Sequence, residues 1–174
     1  NRRLQRLLHA GIECARAEPQ TPVGEVRERV ARRGRQEVEL VIDPALFEQL
    51  PGQFGEVRAS VVQVKRGWDD HELTRFRYDV VLQVGAAPQV LPSVASRAWA
   101  GVEELRTYLQ TTRATAVWVG GVPSRRLGRE ARLVARLDAA AADVPVHTVL
   151  PDPVAAGQDD GVEPEALWAL GVTC

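Results

Sequence analysis

Apolar positions recur along this chain in two rhythms, one helical and one extended. Over residues 2–17, Leu4, Leu7, Leu8, Gly11, Ile12 and Ala15 fall at i, i+3, i+4, i+7, i+8 and i+11. That spacing predicts one amphipathic helix, which Pro19 and Pro22 end. A second helical pattern runs from Val23 to about Arg35, with Glu25 and Glu28 early and arginines late, as the helix dipole favours. Its apolar stripe is narrow (Val23, Val26, Val30), which predicts a helix lying across a surface. Glu39 to Ile42 reads as extended. Asp43 then has the character of an N-cap and Pro44 that of a first helical position, opening a helix through about Leu50. Val61, Val62 and Val64, then Val80, Val81, Leu82 and Val84, form two β-branched or aliphatic runs that predict a pair of strands.

Beyond Gly85 the texture changes. Ala-Ala-Pro-Gln-Val-Leu-Pro reads as a linker or crossover. A helix is expected over 100–110, with Val102, Leu105, Tyr108 and Leu109 on one face. A buried-type strand follows from Ala114 to Val119, then a turn at Gly120-Gly121, a helix near 128–142, and a short helix in Val162-Glu-Pro-Glu-Ala-Leu-Trp-Ala-Leu. Trp99, Trp118 and Trp168 lie in apolar stretches and are expected in the core. Alternation of strands and helices argues for an α/β fold.

The segment between the two Val-rich runs carries more chemistry than a turn requires. Lys65, Arg66, Asp69, Asp70, His71, Glu72, Thr74, Arg75 and Arg77 are interleaved with Trp68, Phe76 and Tyr78. Loops on a rigid sheet commonly present sites, so these groups could position a polar substrate. They could equally be a solvated connection whose charges pair with one another at less than about 1 kcal/mol each. His71 beside Glu72 could serve acid–base work, because an unperturbed imidazole titrates near neutrality; a lone exposed histidine is more often incidental. Trp68, flanked by Gly67 and Asp69, is the tryptophan expected to meet a partner. No second His or Cys stands at metal-ligand spacing, so no metal site is expected. Gly120-Gly121 between a strand and a helix has the place of a phosphate cradle without its sequence pattern, and a tight turn is the simpler reading.

Composition narrows the choices. The chain has 174 residues, 45% hydrophobic and 26% charged, enough for a packed domain. A formal net charge of −1 argues against nucleic acid as the main partner. Two cysteines, Cys14 and Cys174, make neither a disulfide framework nor a zinc site and fit a reducing compartment. No apolar run approaches the roughly 20 residues that span a bilayer, so a cytoplasmic location with no membrane partner is expected. The absence of methionine and of any leader points to an excerpt of a longer protein.

Three segments resemble the C-terminal half of the methyltransferase domains embedded in nonribosomal peptide synthetases. The first is Asn1-Arg-Arg-Leu-Gln-Arg-Leu-Leu-His-Ala. The second joins Glu39-Leu-Val-Ile-Asp-Pro-Ala-Leu-Phe, Gln63-Val-Lys-Arg-Gly and His71-Glu-Leu-Thr-Arg-Phe-Arg-Tyr-Asp-Val-Val-Leu, close to a family pattern "LKRG…NELTRFRYDVVL". The third is Gly121-Val-Pro-Ser-Arg-Arg-Leu with Val162-Glu-Pro-Glu-Ala-Leu-Trp-Ala-Leu. The resemblance is weakest over 86–98 and 143–160. It departs from the pattern at His71 and Ser124, where the family has Asn.

The resemblance implies the C-terminal part of a class I, Rossmann-like methyltransferase sheet ending in an antiparallel hairpin. On that reading residues 1–85 are the core half, 86–98 a linker or crossover, and 99–174 a small α/β appendage. The implied reaction moves a methyl group from S-adenosylmethionine to an aminoacyl group, usually at its amino nitrogen. The acceptor is held on the phosphopantetheine of a peptidyl carrier protein beside an adenylation domain. Glu72, with His71 as helper, would act on the amine. Trp68, Thr74, Arg77 and Tyr78 would belong to the substrate-side loop, Arg77 and Tyr78 in a supporting role. The donor's glycine-rich cradle belongs to the family's N-terminal half, so no donor-binding residue is assigned here and the piece alone is expected to be inactive. The competing expectation is a noncatalytic remnant or interaction module packed against an adenylation domain.

Overall fold

A computed structural model describes residues 1–85, 94–112, 116–150 and 161–173. Helix α1 (Arg2–Arg16) is capped by the Asn1 side chain, which accepts from the Arg3 amide at 2.8 Å. Helix α2 (Val23–Gln36) follows, and α3 (Pro44–Gln53) starts where Asp43 accepts from the Ala45 amide with Pro44 in the first turn. These three match the periodicity closely. Strand β1 (Val57–Val64) pairs antiparallel with β2 (Tyr78–Val84), in a register that sets Val64 opposite Tyr78 and Val61 opposite Val81. Between them the polar stretch contains a short helix, α4 (Glu72–Phe76).

The second half supplies β3 (Ala95–Ala98), α5 (Val102–Thr112) and β4 (Val117–Gly120), with β3 and β4 parallel. Then come α6 (Gly128–Ala139), a 3-10 turn over Val146–Thr148, and α7 (Pro164–Thr173). The chain is therefore a mixed α/β fold, with an antiparallel hairpin and a small parallel pair consistent with part of a Rossmann-like fold. Gly121, at φ +77°, makes the turn after β4. Strand β3 occupies the end of the stretch read as a linker, whose residues 86–93 lie outside the described ones.

The main core crosses the expected boundary between the two halves. Ala10 and Cys14 of α1 and Val23, Val26 and Val30 of α2 cluster with Leu133 and Leu137 of α6 and with Val146 and Val149. Helix α2 thus does not lie across a surface; Val23 and Val26 are among the most buried side chains described. A narrow stripe suffices because small neighbours let the backbones approach. A Cβ on Gly24 would stand 3.0 Å from that of Ala142. Arg27 closes the joint by donating from Nε to the Leu137 carbonyl at 2.7 Å and from Nη2 to that of Ala140, near the C-terminus of α6.

Two expectations fail at the aromatic residues. Trp118 is 61% exposed and Trp168 39% exposed, so neither is a core residue. Trp118 lies beside Gly120, and Trp168 lies under the Arg66 guanidinium, 4.3 Å from the ring centroid. The hairpin is also less covered than its composition implies. Val61, Val64, Val81, Leu82 and Val84 are all exposed. Valine runs of this density usually belong to strands covered on both faces.

Candidate functional site

The polar segment 65–77 is held by its own backbone and by distant parts of the chain. Gly67 sits at φ +127°, in the left-handed region that favours glycine, and turns the chain out of β1. His71 caps α4: its Nδ1 accepts from the Thr74 amide at 3.3 Å, while Thr74 Oγ1 accepts from the His71 amide at 3.3 Å. This is a reciprocal capping box. The buried Thr74 hydroxyl donates to the Asp69 carbonyl at 2.5 Å, and Phe76 anchors the far end of α4 in the interior.

This frame sends Glu72, Arg77 and Tyr78 into a cavity of about 420 Å³. Its other walls come from α1, through His9 and Ile12, and from the segment before α3, through Leu40 and Ile42. Arg77 Nη2 lies 2.7 Å from a Glu39 carboxylate oxygen and 3.7 Å from Glu72 Oε1. The Tyr78 hydroxyl donates to the Ile42 carbonyl at 2.6 Å, and its ring meets Phe47 edge to face at 6.3 Å. Burial, then the Asp43 charge, pushes the Tyr78 phenol up. His9, buried on the α1 wall, has its imidazole pushed down by burial and by Arg33, against the pull of Glu37 at 3.5 Å. The cavity thus combines an accessible carboxylate, a neighbouring guanidinium, a fixed phenol and an apolar wall. Such a set can orient a polar group and accept a proton from it. A larger groove of 940 Å³ between α1, α2 and α6 contains none of the segment's residues.

The sequence-predicted site residues divide accordingly. Glu72, Arg77 and Tyr78 come together on the cavity. Thr74 is buried and shapes α4. His71 stands beside Glu72 with Nδ1 engaged as the cap. Trp68 is 71% exposed and does not line the cavity, so it is free to meet another surface.

Sequence reading missed the charges behind the segment. Arg66 makes a two-pronged pair with Glu165 at 2.8 and 2.7 Å, and the Gly67 amide donates to the same carboxylate at 2.7 Å. These donors hold the Glu165 carboxyl well below the usual range, at about 2, with the Arg66 hydrogen bond the largest influence and the Gly67 amide next. Arg75 pairs with Glu130 of α6. Arg126, itself buried, reaches Glu163 and carbonyls of the segment. The signal that could have found these residues was present: Arg126, Glu163 and Glu165 all stand in the motif segments already quoted.

No family model matches the chain. Over 176 aligned residues it is 36% identical to chondramide synthase cmdD of Chondromyces crocatus, an alignment that takes in 95% of this chain. The chain is homologous to part of a synthase. It spans only 4% of that protein's length. An alignment over 95% of this chain takes in the hairpin with its polar segment and α6. Among the described residues, no helix is long and apolar enough to cross a membrane.

Proposed function

We propose that the chain is the acceptor-side part of a methyltransferase within a larger biosynthetic synthase. Its reaction is methylation of the amino nitrogen of an aminoacyl group tethered to a carrier protein. The observation that carries this reading is the convergence of Glu72, Arg77 and Tyr78 on one cavity at the connected end of the β1–β2 hairpin. Homology to part of a synthase supports the biosynthetic setting.

S-adenosylmethionine, held mainly by residues outside this chain, supplies an electrophilic methyl group. The chain's own task is to present a neutral, correctly aimed amine, because alignment dominates such displacements. Glu72 accepts the ammonium proton, leaving the nitrogen lone pair free to form the new bond. Arg77, 3.7 Å from Glu72, keeps that carboxylate oriented. Tyr78, tied to Ile42, fixes the first residue of β2 beneath the cavity. His71 keeps the first turn of α4, and with it Glu72, in place.

A noncatalytic packing module is the second reading. It is favoured by one observation: much of the segment's charge is spent internally, in pairs such as Arg66–Glu165 and Arg75–Glu130. Transfer of labelled methyl from S-adenosylmethionine to an aminoacylated carrier protein, measured on the intact protein, separates the two. Methylation is expected in the wild type, with Glu72→Gln lowering turnover by about 100-fold, the scale of a lost general base. Undiminished turnover in Glu72→Gln removes that residue from the reaction, and no methylation by the wild type favours the module.

A further inference from the structure

Within the 65–77 segment, only α4 provides regular secondary structure, yet the segment's shape is closely specified. Beyond its own capping box, the specification comes from outside. We infer that Arg126 is a positioning residue, whose buried guanidinium sets the conformation of the segment that carries Glu72 and ties it to the start of α7. The inference deepens the methyltransferase reading and rests on it for its catalytic consequence.

The guanidinium of Arg126 is used on every side. Nε donates to Glu163 Oε1 at 2.7 Å, and Nη2 approaches the same oxygen at 2.5 Å. Nη1 donates to the Lys65 carbonyl at 2.6 Å and to the Thr74 carbonyl at 3.2 Å. Nη2 donates to the Gly67 carbonyl at 2.5 Å. Three carbonyls from the two ends of the segment thus share one fork. Water-shielded carbonyls need donors, and a planar guanidinium is the side chain that can serve several at fixed angles.

The reverse contacts complete a clasp. Arg75 Nε donates to the Arg126 carbonyl at 2.9 Å, and its Nη2 pairs with Glu130. Arg66 reaches Glu165, two residues beyond Glu163. Arg126 is itself aimed by a close backbone contact in which Ser124 and Val162 bridge in parallel, and the Val162 amide donates to the Pro123 carbonyl at 2.7 Å. A Cβ on Gly161 would come within 2.4 Å of the Arg125 nitrogen. Glycine at 161 therefore permits the approach that puts Glu163 in reach of Arg126.

A residue that only stabilised the fold would, when replaced, loosen everything together. A positioning residue loosens the 65–77 segment first. The test compares Arg126→Met and Arg126→Lys with the wild type in the intact protein. Amide hydrogen exchange is followed in peptides covering 65–77 and α1, alongside steady-state methylation of an aminoacylated carrier protein and equilibrium binding of S-adenosylmethionine. Both variants are expected to exchange at least about tenfold faster over 65–77 with α1 unchanged. Lysine fails to rescue because one ammonium cannot reproduce the fork. The methylation rate falls at least about tenfold while donor affinity holds. Should Arg126→Met also expose α1, Glu163→Gln is the milder variant, and it too is expected to release 65–77 selectively. Unchanged exchange over 65–77 in a folded variant, or full rescue by lysine, overturns the inference. If the wild type transfers no methyl group, the functional reading falls, while the exchange result still decides whether Arg126 sets the segment.

Discussion

Replacing Leu137 with alanine should loosen the N-terminal helices, although they lie more than a hundred residues away in sequence. Leu137 is 3% exposed and belongs to the cluster that includes Ala10, Cys14, Val23 and Val26. Removing the branched end of its side chain deletes three buried carbons, about 2.4 kcal/mol at about 0.8 kcal/mol each. The residual cavity adds to this, because the site is walled by three helices that cannot all close in, giving a total of about 3–4 kcal/mol. Set against the 5–15 kcal/mol typical of a whole domain, that loss is large. Urea denaturation gives the total, and amide exchange shows where it is felt. The expected result is a lower midpoint together with faster exchange in α1, around His9 to Cys14. If residues 1–85 and 99–174 were separate units, the substitution would affect only the second. Unchanged α1 protection in a destabilised Leu137→Ala protein would refute the shared core.

Two further outcomes follow from the perturbed groups. Glu165 titrates at about 2 against an ordinary 4.5. Its folded-state value is depressed, so its contribution to stability is full above about pH 4.5 and is lost as the pH falls toward about 2. Acid titration of the stability of Glu165→Gln against wild type should show the two curves converging across that window, and parallel curves would contradict the assignment. Cys14 is buried, and burial, reinforced by Glu13, pushes its thiol up to about 11. At pH 8 its native alkylation by iodoacetamide, followed by peptide mass spectrometry, should be at least about tenfold slower than in urea, because the thiolate is the reactive form. Equal rates would mean that α1 does not stay packed.

What could be read from the residues was what local physics writes locally. The α1 stripe, the Asp43–Pro44 helix start and the two Val-rich runs each carry their signal within a few positions, and each forms at nearly the predicted place. Alternation likewise gave the α/β class. The misreadings lie where partners are distant. The thin stripe of α2 implied a surface helix because the small residues and the α6 leucines that receive it are remote in sequence. Trp118 and Trp168 were assigned to the core on hydrophobicity alone, whereas one lies beside a glycine and the other under a guanidinium. At the candidate site, the charged segment was visible but its division of labour was not. Only the fold separates Glu72, which opens to a cavity, from Thr74, which is buried, and His71, which caps. His71 caps through Nδ1 at the place where the pattern this segment resembles carries Asn, itself a favoured N-cap.

The clasp behind the candidate site also has a consequence in time. Arg66 and Glu165 are separated by 99 residues. At synthesis rates of about 5–20 residues per second, Glu165 is added roughly 5–20 s after Arg66. For that interval β1 and β2 can pair and α4 can form its capping box, both from local residues. The bonds from Arg126 become possible only once that residue is made, and those from Glu163 and Glu165 later still. On a ribosome, the segment that carries Glu72 is thus made well before the side chains that set it.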